Sequence, residues 1–431
     1  MEIERLYTAF LNAKEISTDT RNLKKGALFF ALGGPNFDGN RFAAEALEKG
    51  AQHVVIDDPK TLPNHPKVLL VENTLTALQQ LATYHRKKLN TPIIALTGSN
   101  GKTTTKELIR EVLQKKFKVL ATFGNLNNHI GVPLTLLQLT EQHQLGIIEM
   151  GANQLKEIEN LCEITLPNWG YITNFGKAHL EGFGSEAGVI QGKSELYKHL
   201  LQHQGRILIN GDDPKQLEQT KNQSVAQFGQ GKGSDFKIEY LPSNGNHLEL
   251  KFRECLFKSP LYGSYNLSNL AAAVSFGALF EVPLKDIQEA IAKYDSENNR
   301  SQKISIQGTQ IILDAYNANP SSMEVALRAF AKNQTENNVV ILGDMLELGK
   351  QSEKEHEEML SLCLTLGFNQ IYTLGRRFKK ATVVHPSIQK FEDLNLLFQA
   401  FKESSKKPDR ILIKGSRSLE LERIIPSLET L

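Results

Sequence analysis

Three shortages in this sequence each exclude a class of protein. Cys162, Cys255 and Cys363 are the only cysteines in 431 residues, and no two of them form a C-x-x-C pair. That spacing argues against a disulfide framework or a zinc knuckle and is typical of a reducing compartment. No apolar run approaches the roughly 20 residues that span a bilayer. A net charge of only +2 favours neither nucleic acid nor a membrane surface as a partner.

The N-terminus, MEIERLYTAF, has no basic stretch followed by an apolar core. We therefore expect no signal peptide and a cytoplasmic location. Apolar residues make up 40% of the chain and charged residues 23%, as in ordinary globular proteins. The length exceeds what one core can support, which predicts roughly two to four domains.

The order of strands and helices predicts an α/β fold with three domains. Residues 1–90 read as a small α/β domain that ends at the helix breaker Asn90-Thr91-Pro92. Residues 91–297 alternate strand and helix, which predicts a central parallel-sheet domain. The polar linker 295–302 leads into residues 298–431, a Rossmann-like α/β domain. No G-x-G-x-x-G motif follows a strand there, so a dinucleotide cofactor is not expected.

The predicted elements are the units on which the site residues are placed. Short apolar runs lie at 27–32, 53–57 and 67–72, and strands are predicted over 92–98, 145–151, 170–174, 205–211, 247–257, 310–315, 338–344, 370–375 and 409–415. Helices are predicted over 76–89, 102–117, 266–280 and 282–294.

The stretch LTGSNGKTTTKE, residues 96–107, is similar to a phosphate-binding loop, although Leu96 stands where the standard loop has its first glycine. Gly98 and Gly101 permit a tight turn that brings backbone N–H groups to a phosphate, and the helix N-terminus adds positive potential. Lys102 can reach the β- and γ-phosphates, and the Thr103 hydroxyl can bind Mg²⁺. This loop makes the central domain ATPase-like. A plain glycine turn that caps a helix is the simpler alternative.

Two polar residues follow neighbouring apolar strands. The apolar strand in LGIIEMG ends at Glu149, and His179 lies in the loop after GYITN. Ligands collect at the carboxyl ends of strands in an open α/β sheet, so Thr103, Glu149 and His179 should share one rim. A hydroxyl, a carboxylate and an imidazole could share a divalent cation there. Alone, His179 would be an ordinary loop histidine and Glu149 a capping acid.

At this point the motifs resemble those of one family along the whole chain. GSNGKTTT resembles the shortened phosphate loop of the Mur ligases, ATP-dependent amide-forming enzymes of peptidoglycan precursor synthesis. The match is best with the branch that adds D-alanyl-D-alanine. Its other matching segments are STDTR (17–21), GALFFALGGPNFDGNRF (26–42), FGNLNNHIGVPLTLL (123–137), GSYNLSNLAAA (263–273), DAYNANPSSM (314–323), LGDMLELG (342–349) followed by His356, and LIKGSR (412–417). Asn40 and Tyr265 depart from this pattern, since the family commonly has histidine at both positions.

The resemblance implies a role for each matching residue. ATP would bind Gly98, Ser99, Asn100, Gly101, Lys102, Thr103, Thr104, Asn266, Asn269, Arg300 and Asp314. The uridine, sugar and peptide parts of the substrates would bind Ser17, Thr18, Asp19, Thr20, Arg21, Asn127, Asn128, Tyr316, Asn317 and Asn319. Mg²⁺ would bind Thr103, Glu149, His179 and Lys193, with Glu149 and His179 at a second Mg²⁺. The residues implied in catalysis are Lys102, Lys193 and His179.

Lys193, in GVIQGKSELY, matches the family lysine that CO₂ carbamylates. A bare ammonium beside Mg²⁺ would be repelled, whereas a carbamate carries a carboxylate-like charge that can bind the metal. By spacing alone, Lys193 would be a solvated helix lysine like its neighbour Lys198.

The resemblance implies an ATP-dependent ligase that joins D-alanyl-D-alanine to UDP-N-acetylmuramoyl-tripeptide through an acyl phosphate, and it implies a monomer. Three alternatives are a related ligase that adds another amino acid, a phosphate-loop kinase, and a non-catalytic nucleotide-binding scaffold. The segments YNANP and LGDMLELG speak against the first. The absence of a Ser-His or Cys-His signature suits a reaction without a covalent protein nucleophile.

Overall fold

The protein was analysed as a computed structural model. It describes residues 2–62, 65–242, 247–296, 299–333, 335, 337–403 and 407–428. The described chain is α/β throughout and contains three main sheets, each in its own stretch of sequence. No helix in these ranges is both long and apolar enough to cross a membrane.

The first sheet lies in the N-terminal segment and is entirely parallel, with the order β1-β2-β5-β6. Its strands are β1 Ile16–Ser17, β2 Leu28–Phe30, β5 His53–Ile56 and β6 Val68–Leu70, and a small hairpin pairs β3 Gly33–Gly34 with β4 Phe37–Asp38. Its helices are α1 Ile3–Asn12, α2 Ala43–Glu48 and α3 Thr74–Leu89.

Helix α3 joins the N-terminal segment to the central one. The Asn73 side chain caps its start by accepting a hydrogen bond from the Thr76 N–H, and Asn90 ends it in a left-handed conformation. The predicted helix break at Asn90 is therefore confirmed. Near this end, the buried Arg86 donates to the carbonyl oxygens of Thr165 and Leu166, which lie in the central segment.

The central sheet has the order β15-β14-β13-β12-β11-β10-β7-β9-β8 and is parallel from β8 to β13. Its strands are β7 Ile93–Thr97, β8 Val119–Ala121, β9 Leu145–Glu149, β10 Trp169–Ile172, β11 Arg206–Asn210, β12 Ala226–Gly229, β13 Phe236–Leu241, β14 Leu248–Phe252 and β15 Cys255–Ser259. Its helices are α4 Lys102–Leu113, α5 Gly131–Leu136, α6 Glu157–Thr165, α7 Leu180–Phe183, α8 Glu186–Gln202, α9 Pro214–Gln219, α10 Leu267–Leu279 and α11 Leu284–Lys293.

One predicted strand of this segment was wrong. Residues 247–257 were expected to form a single strand, but β14 and β15 form an antiparallel hairpin instead. The chain reverses at Arg253, whose φ of 54° lies in the left-handed region. Neither Arg253 nor Glu254 is a typical turn residue, so the sequence carried no signal for the reversal.

The third sheet has the order β16-β17-β21-β18-β19-β20, and only the β16–β17 pair is antiparallel. Its strands are β16 Gln302–Ile306, β17 Thr309–Asp314, β18 Asn338–Gly343, β19 Gln370–Leu374, β20 Ile388–Phe391 and β21 Arg410–Lys414. Its helices are α12 Pro320–Ala331, α13 Ser352–Thr365, α14 Arg376–Lys380, α15 Leu394–Glu403 and α16 Ile425–Leu428. The predicted boundary between residues 297 and 298 lies outside the described residues.

The parallel core strands bring polar side chains together at their carboxyl ends. Strand β7 is buried along its whole length, and its parallel neighbours β9 and β10 align with it in register. Their carboxyl ends therefore meet at one edge of the central sheet. The carboxyl ends of β17 and β21, which are parallel neighbours in the third sheet, carry Asp314 and Lys414. All of these ends lead to the same cleft.

Candidate active site

A cleft of about 1020 Å³ lies between the edge of the central sheet and the C-terminal segment. It brings together most of the residues implied by the family resemblance. Its lining includes Ser99, Asn100, Gly101, Lys102, Thr103, Thr104, Asn127, Asn128, Glu149, His179, Asn266, Asn269, Arg300, Asp314, Tyr316, Asn317 and Asn319. Gly98, Lys193 and the segment Ser17–Arg21 are not part of this lining.

The loop between β7 and α4 has no room for side chains at its two glycines. Gly98 has a φ of 144°, and a Cβ there would lie 1.9 Å from Oγ1 of Thr173. Gly101 has a φ of 77°, and a Cβ there would lie 2.8 Å from Oδ1 of Asn269. Thr173 also donates its hydroxyl to the Asn100 carbonyl at 2.5 Å. Neighbouring strand and helix therefore hold the loop in one shape.

Lys102 begins helix α4 and donates from Nζ to the Gly98 carbonyl oxygen at 2.8 Å. Burial lowers the pKa of Lys102, and Arg300 lowers it further, whereas the negative charge of Glu149 opposes both effects. The loop thus folds its lysine back over its own backbone. A phosphate in this cradle would offer the ammonium a stronger, charged partner than a carbonyl.

Glu149 ends strand β9 with one carboxylate oxygen unpaired. Its Oε1 accepts a hydrogen bond of 2.8 Å from the amide of Asn127. Its Oε2 is buried and has no hydrogen-bond partner among the described residues. A buried, unpartnered carboxylate oxygen is costly, so this atom fits a ligand that the protein alone does not supply.

His179 follows strand β10 and lines the same cleft. Its backbone is left-handed, with a φ of 53°, and its Nδ1 is hydrogen bonded to the carboxylate of Glu347 in the C-terminal segment. In the described part of the chain, no group of three or more His, Cys, Asp or Glu side chains is placed to hold a metal ion. A metal at Glu149 and His179 would therefore need other ligands, such as the Thr103 hydroxyl.

Lys193 lies behind the cleft wall on helix α8 and is fully buried. Its Nζ donates to the carbonyl of Ala152, a residue of the cleft lining, at 2.9 Å and lies 5.2 Å from the ring centroid of Phe183. Burial lowers the pKa of Lys193 well below its usual range, and the charge of Lys102 adds to this effect. The interpretation as a solvated lysine is therefore wrong, because no water reaches this side chain.

Asn266 and Asn269 are buried beside the phosphate loop, and their amides are already hydrogen bonded to protein groups. Asn269 accepts from the Thr105 hydroxyl at 3.0 Å and donates to Asn266 at 2.7 Å. Asn266 in turn donates to the Tyr262 carbonyl at 2.8 Å. Both residues therefore brace the loop, whatever they contribute to a nucleotide.

The C-terminal wall contains an ion pair between a buried lysine and a partly buried aspartate. Lys414 and Asp314 are joined at 2.5 Å, and the Lys414 side chain is only 2% exposed. Asp314 also accepts from the Ser301 N–H at 3.1 Å, and the Arg300 guanidinium stacks 3.6 Å from the ring centroid of Tyr316. These contacts bring together Arg300, Asp314 and Tyr316, all implied by the resemblance.

Three asparagines of the predicted substrate set support backbone structure. Asn319 caps helix α12, and its amide donates to Oδ1 of Asn100 at 2.8 Å across the cleft. Asn128 accepts from the N–H of Gly131 at 2.9 Å. Asn317 accepts from the N–H of Ala318 at 2.8 Å.

The segment Ser17–Arg21 forms a turn outside this cleft. The exposed guanidinium of Arg21 contacts both carboxylate oxygens of Asp19, and these hydrogen bonds lower the pKa of Asp19 to about 2. Ser17 donates its hydroxyl to the Asp19 carbonyl at 2.8 Å.

The two departures from the family pattern have different surroundings. Asn40 is buried and bridges Asp38 and Asp57 through its amide, at 3.0 and 2.8 Å. Tyr265 lines the main cleft, and its hydroxyl is hydrogen bonded to the Ser301 hydroxyl at 2.7 Å.

Sequence reasoning missed roles for Asn174, Glu347 and Lys414. Asn174 donates to the Asn100 carbonyl at 3.0 Å and so holds the phosphate loop. Lys414 ends strand β21, so the rule that strand ends carry functional groups could have found it. Glu347 lies far along the chain from His179, and no local signal links the two.

A phosphate loop at the carboxyl edge of a parallel sheet, facing a second α/β unit across a polar cleft, defines an α/β nucleotide-binding enzyme. Family profiles agree with this class. They match the Mur ligase family catalytic domain at residues 12–86, the Mur ligase middle domain at 96–277 and the Mur ligase glutamate ligase domain at 299–417. The chain belongs to the Mur ligase family.

Individual relatives match nearly the whole chain. It is 35% identical to the UDP-N-acetylmuramoyl-tripeptide–D-alanyl-D-alanine ligase of Bacillus subtilis, over 96% of this chain and 92% of that protein. A crystal structure of MurF from Acinetobacter baumannii matches with a TM-score of 0.86 and 30% identity, covering 100% and 98% of the two chains. MurF ligase from Thermotoga maritima in complex with ADP matches with a TM-score of 0.85 and 27% identity, covering 98% of each chain. The predicted α/β fold class is thereby confirmed.

Proposed function

We propose that this chain is an ATP-dependent amide ligase that joins D-alanyl-D-alanine to UDP-N-acetylmuramoyl-tripeptide. One observation carries the proposal. The Lys102 loop and the unpartnered oxygen of Glu149 form one wall of a cleft whose other wall carries Tyr316 and Asn319. Phosphate-binding groups thus face the YNANP segment, which resembles the D-alanyl-D-alanine branch. The relatives of matching name are similar over nearly their whole length.

In this proposal, each predicted domain binds a different ligand. Residues 1–90 hold the uridine end of the substrate through Ser17–Arg21, residues 91–297 bind ATP, and residues 298–431 bind the dipeptide. Asn127 and Asn128 reach the sugar or diphosphate part of the substrate. The enzyme acts as a monomer in the cytoplasm.

The nucleotide site is the loop from Gly98 to Thr104. Its backbone N–H groups and the N-terminus of helix α4 favour phosphate oxygens. Lys102 would exchange its hydrogen bond with the Gly98 carbonyl for the β- and γ-phosphates. Arg300 and Asp314 contact the nucleotide from the opposite wall, beside Asn266 and Asn269.

The residues present fit Mg²⁺. Glu149 offers a buried Oε2 without a partner, Thr103 offers a hydroxyl, and His179 offers a ring nitrogen; all three are oxygen or nitrogen donors on one rim. When bound, Mg²⁺ neutralises charge on the phosphates and on the group being transferred.

Lys193 fits a carbamate in one respect that the structure supports. CO₂ reacts with a neutral amine, and burial lowers the pKa of Lys193 and so favours the neutral form. The carbamate would place an anionic oxygen ligand next to Ala152 in the cleft wall.

In the reaction, the terminal carboxylate of the tripeptide attacks the γ-phosphorus of ATP, and ADP leaves. The amine of D-alanyl-D-alanine then attacks the acyl phosphate, inorganic phosphate leaves, and the nitrogen loses a proton as the amide forms. Lys102 stabilises charge on the transferred phosphoryl group, and the two walls hold the reactants together. No covalent protein nucleophile is required.

Phosphate release in the presence of ATP, Mg²⁺ and UDP-N-acetylmuramoyl-tripeptide tests the proposal, with D-alanyl-D-alanine compared with single amino acids. We expect release only with the dipeptide, together with a product heavier by one dipeptide unit. Release with a single amino acid on a shorter precursor would move the enzyme to another step of the pathway. No release with any acceptor would favour the kinase or scaffold alternatives.

A further inference from the structure

His179 and Glu347 form a contact that crosses the cleft. His179 lies after strand β10 of the central sheet, and Glu347 lies after strand β18 of the third sheet. The Nδ1 atom of His179 is hydrogen bonded to the Glu347 carboxylate, and the backbone carbonyl of Glu347 accepts from the Glu181 N–H at 3.1 Å. The side chain and the backbone of Glu347 therefore both hold the His179 loop.

Both partners adopt a backbone conformation that L-residues rarely adopt. The φ of His179 is 53° and that of Glu347 is 60°. Such residues persist where their surroundings fix them, and they are concentrated at functional sites. At this contact, two left-handed residues meet across the cleft.

The hydrogen bond determines which ring nitrogen of His179 remains available. Among the described residues, its other nitrogen, Nε2, has no hydrogen-bond partner. A carboxylate that accepts from Nδ1–H leaves the lone pair on Nε2, the arrangement that carboxylates impose on metal-binding histidines.

We propose that Glu347 is a positioning residue that orients His179 and fixes its tautomer for the Mg²⁺ that accompanies the nucleotide. The inference rests on the proposed function, because it requires a metal at His179. It also gives the LGDMLELG segment a physical role. A residue of the C-terminal segment would thus orient a metal ligand of the central segment without binding the metal.

Other contacts across the same cleft do not depend on Glu347. Lys177 pairs with Glu355 at 2.8 Å and with Glu358 at 3.9 Å. The Lys177 N–H also donates to the Ser321 hydroxyl at 2.7 Å. Removal of the Glu347 carboxylate should therefore leave the two walls in contact.

These contacts supply a matched control. The Glu358 side chain is 42% exposed and the Glu347 side chain 51%. Both carboxylates reach across to the loop 177–179, but only Glu347 contacts His179. A Glu358→Ala variant thus removes a carboxylate from the same interface without altering the histidine.

The experiment measures Mn²⁺ affinity by electron paramagnetic resonance, using the full chain saturated with a non-hydrolysable ATP analogue. We expect Glu347→Ala to weaken Mn²⁺ binding roughly 10- to 100-fold, the usual effect of losing a group that orients a metal ligand. Glu347→Gln should bind more tightly than Glu347→Ala, because its carbonyl oxygen can still accept from Nδ1–H. Glu358→Ala should bind like the wild type.

The Glu149→Ala variant tests the proposed metal site separately from the positioning role of Glu347. If Glu149→Ala loses Mn²⁺ while Glu347→Ala binds like the wild type, the role of Glu347 is refuted and the proposed metal site survives. Equal losses in Glu347→Ala and Glu358→Ala would also refute it, since the interface rather than the histidine would then matter. If neither Glu149→Ala nor His179→Ala changes Mn²⁺ affinity, the metal site and the inference both fail.

Discussion

The two walls of the cleft are supported in different ways. The central wall is braced from within its own segment, because Thr173, Asn174 and Asn269 hold the phosphate loop. The C-terminal wall has its own ion pair, Lys414 with Asp314, and also reaches across the cleft through Asn319 and Glu347. Groups that meet developing charge gain most from being rigid before the substrate arrives. The wall proposed to bind the dipeptide instead makes contacts that join the two segments.

The comparison predicts that substitutions in the central wall affect the chemical step most. Lys102→Ala should reduce turnover at least about 10³-fold, because it removes the cation nearest the transferred phosphoryl group. Phosphate release under saturating substrates measures the effect. Lys198→Ala, at an exposed lysine of helix α8, is the matched control and should retain activity. Near-normal turnover in Lys102→Ala would mean that this wall is not the ATP site.

Lys193→Ala should reduce turnover roughly 100-fold, because it removes the proposed anionic oxygen ligand. Carbon-13 NMR of wild-type protein in labelled bicarbonate should show one carbamate signal that the variant lacks. A wild-type spectrum without that signal would show that the buried amine stays unmodified.

Substitutions in the C-terminal wall should affect the stability of the fold more than they affect turnover. Lys414→Met should lower the free energy of unfolding by about 1–3 kcal/mol, because it leaves the partly buried Asp314 carboxylate without its cation. Asp314→Asn combined with Lys414→Met should cost less than the sum of the two single changes. Denaturant unfolding measures all three. Additive losses would show that the pair is not coupled.

Buried Lys193 should also make stability depend on pH. Its pKa is lowered in the folded state, so between this pKa and the ordinary lysine value of about 10.4 the unfolded state binds the extra proton. Stability should therefore rise with pH in this window, by up to about 1.4 kcal/mol per pH unit. The measured quantity is the difference in unfolding free energy between wild type and Lys193→Met in CO₂-free buffer. A difference that is constant with pH would place a charged lysine in the folded protein.

Substitutions in the N-terminal segment, which lies outside the cleft, should have the smallest effect on activity. Arg21→Ala should raise KM for the UDP-linked substrate about tenfold, the loss of one exposed charged contact to a substrate, and leave kcat unchanged. Lys60→Ala, at another exposed basic residue of this segment, should change neither. Since the Arg21–Asp19 pair is exposed, the substitution should leave the stability of the fold nearly unchanged. A fall in kcat would contradict the separation of this segment from the chemistry.

The sequence predicted the features that depend on neighbouring residues. Apolar runs such as Ile93–Thr97 predicted the buried parallel strands, and the glycines before α4 predicted the tight turn at Gly98 and Gly101. The missed strands include β8, β12, β13, β16 and β20, in each of which at most half of the residues are buried.

Contacts between distant residues could not be predicted in the same way. The pairing of His179 with Glu347 joins two segments, and the brace from Asn269 to Gly101 depends on how α10 packs beside α4. The resemblance supplied residue types for both places, but only the fold supplies their partners.

The most direct test of the account follows oxygen from the substrate to the product. UDP-N-acetylmuramoyl-tripeptide with ¹⁸O in its terminal carboxylate is converted with ATP and D-alanyl-D-alanine, and the released phosphate is analysed by mass spectrometry. An acyl phosphate predicts one ¹⁸O in each phosphate, because the carboxylate oxygen leaves with the phosphoryl group. Unlabelled phosphate, or label in AMP, would contradict the account.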